Sequence, residues 1–142
     1  MFDFNTNKNL AEKIPLQILL AEDNLINQKL IIQLLNKMGY FPDTTTNGAE
    51  AIMMVEKKRY DLLFMDVQMP VMDGLEATRT IVSIWAKHMR PRIIAMTANV
   101  MDGDREKCLE AGMDGYVSKP MKRPELFKAI ASGLEINATP AR

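Results

Sequence analysis

The stretch LLFMD at 62–66, continuing into VQMPVMDG at 67–74, sets four consecutive apolar residues against one carboxylate and then breaks into a loop around Pro70. An apolar run this short, bounded by turn-forming residues, reads as a strand buried on both faces. Such strands belong to parallel sheets covered by helices on either side. The same form recurs outward in both directions. Upstream, Gln17 to Ala21 ends in Glu22, Asp23 and Asn24; downstream, Arg92 to Met96 ends at Thr97, and Gly115 to Ser118 ends at Lys119-Pro120. Tyr40 to Thr45 reads as a further short strand.

Helical patterns fill the intervals. Ile26, Leu30, Ile31, Leu34, Leu35 and Met38 recur at three- and four-residue steps until Gly39 ends the run. Asn47 with Glu50 resembles a capping box and opens a helix to about Lys57. Asp73 and Glu76 cap a helix running towards Lys87, another spans Asp102 to Ala111, and Pro124 opens a last one carrying Leu126, Phe127, Ile130 and Leu134. Five strands alternating with five helices predict an α/β, doubly wound parallel sheet over residues 14–135. Residues 1–13 and 136–142 show no periodicity and read as tails, the first as the end of a linker. Periodicity leaves two common sheet orders open, and both put ligands at the carboxyl ends of the strands.

Bulk properties exclude several classes of function. A chain of 142 residues with 47% hydrophobic and 25% charged residues suits one globular domain. Eighteen basic and eighteen acidic residues cancel, which disfavours nucleic acid or membrane as partner. The lone Cys108 forms no intrachain disulfide and completes no zinc spacing, which fits a reducing cytoplasm. No apolar run approaches the roughly 18 residues of a membrane span, and the first residues lack the order of a signal peptide.

The polar groups at the strand ends converge, because parallel strands end on one edge: Glu22 and Asp23, Asp66, Thr97 and Lys119. Three carboxylates together raise one another's pKa unless a cation sits among them, and oxygen ligands in that number suit a hard divalent ion such as Mg²⁺. A hydroxyl and an ammonium beside a metal are what a transferred phosphoryl group requires, and a carboxylate can be its nucleophile. Singly, each feature has an ordinary explanation: an Asp after a strand caps a helix, Lys-Pro makes a turn, and a strand-end Thr is structural. Their conjunction at the ends of four different strands is what those explanations do not cover.

The segments ILLAEDN (18–24), LLFMDVQMPVMDGLEATR (62–79), IIAMTAN (93–99) and GDREKCLEAGMDGYVSKP (103–120) resemble the receiver, or response-regulator, family across Pro15 to Leu134. The resemblance implies a flavodoxin-like sheet in the order 2-1-3-4-5. It implies Asp66 as phosphoacceptor, with Mg²⁺ held by Asp23, Asp66, the Gln68 backbone carbonyl and, through water, Glu22. Thr97 and Lys119 resemble the hydroxyl and the lysine that meet the phosphoryl group, and Tyr116 the switch aromatic that turns inward when Thr97 moves. Lys119-Pro120 would be cis, and Gln68 and Asn99 would tune access of the hydrolytic water. The implied partner is a histidine kinase or histidine-phosphotransfer protein. The domain would catalyse its own phosphorylation and dephosphorylation, so "enzyme" describes it poorly. The wording EDNLINQ resembles receivers of hybrid histidine kinases more than free-standing regulators, which remain the alternative.

Two rival readings lack their hallmarks. A haloacid-dehalogenase-type phosphatase needs D-x-D after the first strand, where this chain has Glu22-Asp23-Asn24. A receiver-like docking module without chemistry would lack the acceptor, the lysine or the acidic pair. His88 has no kinase-type helical context. On the helix after Asn24, Asn27, Leu30, Ile31, Leu34 and Met38 form one face, expected to pack on the sheet. Leu25 and Ile32 fall roughly 140° from its centre, which predicts a partner-docking patch there, extended by Pro120 and Met121 at the rim of the pocket.

Overall fold

The computed structural model describes residues 10–98 and 102–137. Its strands are β1 (Ile18–Ala21), β2 (Asp43–Thr45), β3 (Leu62–Asp66), β4 (Arg92–Thr97) and β5 (Gly115–Ser118). They form one sheet in the order β2-β1-β3-β4-β5, every pairing parallel. The helices are α1 (Leu10–Lys13), α2 (Leu25–Lys37), α3 (Gly48–Lys57), α4 (Gly74–Ile84), α5 (Asp102–Ala111) and α6 (Arg123–Asn137), with a 3-10 turn at Lys87–Met89.

Side chains alternate across a strand, and the core divides accordingly. Ile18, Leu20, Phe64, Ile94 and Met96 pack with Ile31 and Leu35 of α2 and Leu126 and Ile130 of α6. Leu19, Leu63, Met65, Ile93 and Ala95 pack on the opposite face with Ala51 and Val55 of α3, Ala77 and Ile81 of α4, and Cys108 of α5. The three central strands are apolar on both faces because both faces are covered.

The described chain has six helices where the pattern predicts five. The additional one, α1, is a single turn within the stretch read as a tail. Leu10 is buried in the α2–α6 side of the core, and Ala11 N–H donates to Met38 O at 3.0 Å. Four residues make barely one turn and set no period, so only the contact with the end of α2 distinguishes it. Tyr40, read as strand, lies before β2. Its ring is buried, and its hydroxyl donates to Ile14 O at 2.6 Å. Helix α4 stops at Ile84, and the 3-10 turn takes up the chain that the pattern gave to its end.

Helix starts carry the capping chemistry that the sequence indicates. Asn24, Asn47 and Asp73 accept N–H bonds from the first turns of α2, α3 and α4, and Thr46 N–H donates to Glu50 Oε1 at 2.8 Å. Gly74 opens α4 under a close approach: a Cβ there would lie 2.2 Å from Asp66 O and 2.8 Å from Met65 Cγ. Gly103 of α5 meets nothing within 4 Å.

These two glycines make a paired test of the packing. Gly74→Ala is expected to lower stability by about 1–3 kcal/mol through overpacking. Gly103→Ala is expected to raise it by about 0.5–1 kcal/mol through helix propensity. Urea unfolding of both variants beside the parent checks the opposite signs.

Candidate functional site

Strand register assembles the polar residues. Ala21 pairs with Met65 and Asp66 with Met96, so Glu22 and Asp66 end neighbouring strands. Thr97 pairs with Ser118, which puts Lys119 one residue beyond. The loop ends are tied across the sheet: Glu22 N–H donates to Thr45 O at 3.0 Å, Val67 N–H to Met96 O at 3.2 Å, and Lys119 N–H to Thr97 O at 2.8 Å. The result is a cleft of about 290 Å³ lined by Glu22, Asp23, Asp66, Gln68, Thr97 and Lys119. The Lys119–Pro120 peptide is cis.

Within the cleft, Lys119 Nζ lies 2.9 Å from both Asp66 Oδ2 and Glu22 Oε1. Glu22 is wholly buried and Asp66 almost so, while Asp23 is exposed. Gln68 N–H donates to Asp66 Oδ1 at 3.2 Å, and Asn24 N–H to Glu22 Oε2 at 3.1 Å. Burial, then the hydrogen bond with Glu22, pushes the Asp66 carboxyl up to about 7, against the opposing pull of Lys119. Burial alone would lower the Lys119 ammonium, but its two carboxylate partners outweigh that and hold it above its ordinary value.

The first turns of the helices add residues that the strand-end pattern does not contain. In a βα unit the amino end of the helix lies beside the carboxyl end of the strand before it. Asn27 of α2 and Asp104 of α5 therefore also line the cleft. Asn27 was expected on the packed face, and only its position one turn into α2 could have indicated the cleft. Asp104 stands on a helix with little apolar pattern, and nothing in its spacing marks it. Tyr116 on β5 is turned outward with the Arg105 guanidinium 5.4 Å from its ring centre, while Thr97 is buried. Asn99 lies outside the described residues.

The docking patch needs correction. Leu25 is exposed at 66%, but Ile32 is half-buried and packs against the core beside Ile31 and Leu35. Helix α2 is gripped by the sheet on one side and by α1 near its end, so its buried arc is centred on Ile31, Leu35 and Met38 rather than on Asn27 and Leu34. Ile26 and Leu30, at 80% and 38% exposure, are the apolar side chains that α2 presents outward with Leu25. Met121 is mostly buried in the core and, with Leu30, Lys119 and Pro120, lines a small hollow beside the cleft, whereas Pro120 is exposed.

The acidic residues fit a hard cation. Glu22, Asp23 and Asp66 each offer an oxygen, and these atoms all lie within 4.8 Å of one another. Glu22 Oε1 is buried, with Lys119 Nζ as its close partner at 2.9 Å. Three carboxylates against one ammonium leave excess negative charge in a partly desolvated cleft, which a divalent ion relieves.

Comparison with known proteins agrees with this geometry. Residues 18–131 match the response regulator receiver domain family. Hybrid signal transduction histidine kinase I of Dictyostelium discoideum is 42% identical over 84% of the chain, and histidine protein kinase 1 of Candida albicans 38% identical over 89%. The chain spans only 7% and 6% of the length of those two relatives. Among solved structures, the receiver domain of a Pseudomonas aeruginosa PAO1 sensor histidine kinase carries magnesium in its active-site cleft. It is 42% identical and aligns with a TM-score of 0.77 over 84% of this chain and 98% of that one. The receiver domain of the Saccharomyces cerevisiae response regulator Ssk1, solved with the histidine phosphotransfer protein Ypd1, is 29% identical. It aligns with a TM-score of 0.79 over 88% of this chain and 92% of that one. With its fold, its strand-end cleft and these matches, the chain belongs to the response regulator receiver domain family, the phosphorelay module of two-component signalling.

Proposed function

We propose that Asp66 is the residue through which this receiver takes part in the phosphorelay. The observation that carries this reading is the position of its carboxylate: buried at the end of the central strand, with Lys119 Nζ 2.9 Å from Oδ2 and the Gln68 N–H on Oδ1. In the transfer, an Asp66 oxygen attacks the phosphorus of a phosphohistidine. The P–N bond breaks, and its electron pair leaves on the imidazole. Lys119 balances charge on the phosphoryl oxygens, and the Thr97 hydroxyl donates to one of them. Tyr116 then turns inward as Thr97 shifts, releasing its contact with Arg105.

Magnesium is the cation that Glu22, Asp23, Asp66 and the Gln68 carbonyl would hold, as the site of the Pseudomonas relative suggests. When bound it neutralises the carboxylates and draws charge from the phosphoryl oxygens. The partner is a histidine kinase or a histidine-phosphotransfer protein, a reading supported by the yeast complex and by the hybrid kinases among the relatives. Those relatives also favour a receiver segment of a hybrid histidine kinase over a stand-alone regulator. No helix among the described residues is long and apolar enough to cross a membrane, and a cytoplasmic location suits the free Cys108.

Incubated with acetyl phosphate and Mg²⁺, the domain is expected to gain one phosphoryl group and Asp66→Asn none, as read by intact mass. A stably phosphorylated Asn variant would reassign the acceptor.

The raised Asp66 carboxyl predicts an unusual pH dependence. Between its ordinary value near 3.8 and about 7, the folded metal-free domain holds a proton that the unfolded chain has lost. Stability contributed by that proton is therefore present at low pH and lost as pH rises through the window. In chelator, the thermal midpoint is expected to fall from pH 4 to pH 7 by more in the parent than in Asp66→Asn. Mg²⁺ is expected to restore it at neutral pH, in differential scanning fluorimetry.

The exposed apolar end of α2 predicts where the protein partner docks. Leu25→Ser with Ile26→Ser is expected to slow transfer from a phosphorylated histidine-phosphotransfer protein about tenfold or more, the loss of two apolar contacts at an interface. Transfer from acetyl phosphate is expected to continue at the parent rate; equal slowing with both donors would place the defect in the fold instead.

A further inference from the structure

The amino ends of β1, β3 and β4, at the edge of the sheet opposite Asp66, enclose a second cavity of about 250 Å³. Arg59 and Asp61 enter it from the α3–β3 connection, Lys87, His88 and Arg90 from the 3-10 turn and its exit, and Arg92 from the first position of β4. Hydrogen bonds fix these connections: Asp61 N–H donates to Gln17 O at 2.8 Å, Arg92 N–H to Asp61 O at 3.0 Å, and Arg59 Nη2 to His88 O at 3.0 Å. Four permanent cations and an imidazole thus surround one carboxylate, in a chain whose charges cancel in total.

The cations are unevenly neutralised. Arg90 is paired with Asp114 at 3.1 Å, both side chains buried. Asp61 Oδ2 is taken by the Gln17 N–H at 2.8 Å. Among the described residues, Arg59, Lys87 and Arg92 make no salt bridge. The Arg92 guanidinium donates only to neutral groups, Ala129 O at 3.3 Å and Ser132 Oγ at 3.2 Å, and its Nε is buried without any acceptor. A buried donor of this kind has lost its water without replacement. Leu16 and Ile130 add apolar wall to the cavity.

We propose that this cavity is a binding site for a small phosphorylated organic anion, its phosphate held by Arg59, Lys87 and Arg92 and its organic body against Leu16 and Ile130. The four cations exceed the two carboxylates beside them, Asp61 in the wall and Asp114 next to Arg90 and Arg92, which suits a phosphate dianion better than a single carboxylate, and the arginine forks suit its oxygens. The volume, just below the roughly 300–1,000 Å³ of drug-sized clefts, limits the ligand to about the size of a mononucleotide. The site is separate from the phosphorylation cleft. Arg92 and Thr97 stand at opposite ends of the same strand, roughly 17 Å apart at about 3.3 Å per residue.

Adenosine 5′-monophosphate, inorganic phosphate and acetate are the probes, titrated into the domain in chelator while backbone amide NMR shifts are followed. Saturable shifts at Arg59, Leu62, His88 and Arg92 are expected with the nucleotide, weaker ones with phosphate and none with acetate. Arg59→Gln with Lys87→Gln is expected to weaken nucleotide binding at least about tenfold, as loss of two charge-assisted contacts. Phosphorylation by acetyl phosphate should stay unchanged, and Lys57→Gln on α3 should bind as the parent does. No saturable shift with either phosphate probe, an equal response to acetate, or undiminished binding by the double variant would overturn the site. Inorganic phosphate binding as tightly as the nucleotide would overturn the organic body.

Discussion

Lys119 Nζ stands between two buried carboxylates, 2.9 Å from each, and the rest of the cleft is arranged around that contact. Removing an ammonium and two carboxylates from water is costly, and their mutual attraction returns that cost only where further hydrogen bonds complete the geometry. Here the backbone completes it. The Gln68 and Asn24 N–H groups meet the free oxygens of Asp66 and Glu22, and Lys119 N–H is anchored on Thr97 O. One ammonium still leaves negative charge in excess, so the lysine organises the carboxylates without satisfying them. That residual demand is what a cation and a phosphoryl group can both answer.

The same arrangement depends on how little room the loop after Asp66 has. Gly74 N–H donates to Val67 O at 2.9 Å, closing the loop directly over the Asp66 carbonyl, where no Cβ fits. Met72 N–H turns back on Pro70 O and Gly48 N–H reaches Met72 O, so α3 also bears on the loop. Val71 between them takes a φ of 68°, a conformation that a β-branched side chain adopts only when its neighbours impose it. Packing of α3 and α4 against the sheet is therefore felt at the acceptor.

What the sequence made legible was whatever follows from one strand or helix at a time. Three of the four polar strand ends, Asp66 among them, follow an apolar run, and parallel strands can end on only one edge. The caps Asn24, Asn47 and Asp73 were visible because their chemistry is local. The burial of Ile32 and Met121 escapes the pattern because it depends on what covers a helix or loop from outside its own period: Ile32 packs against the core beside Leu34, and Met121 turns into the core after Pro120. Leu10 was invisible for the same reason, being a single apolar residue whose partner lies far along the chain. Asp104 reached the cleft through the order of strands and helices in space, which no window of sequence contains.

The two clusters at opposite ends of the sheet have a further consequence. Glu22, Asp23, Asp66 and Asp104 gather at the carboxyl ends of the strands, and Arg59, Lys87, Arg90 and Arg92 at the amino ends. Equal numbers of acidic and basic residues cancel in the total charge but not in its first moment, so these clusters contribute an electric dipole along the strands. A dipole feels a torque in the field of a charged partner, which turns the molecule before contact and weakens as ionic strength rises. A chain that would not migrate in an electric field can still be aimed by one.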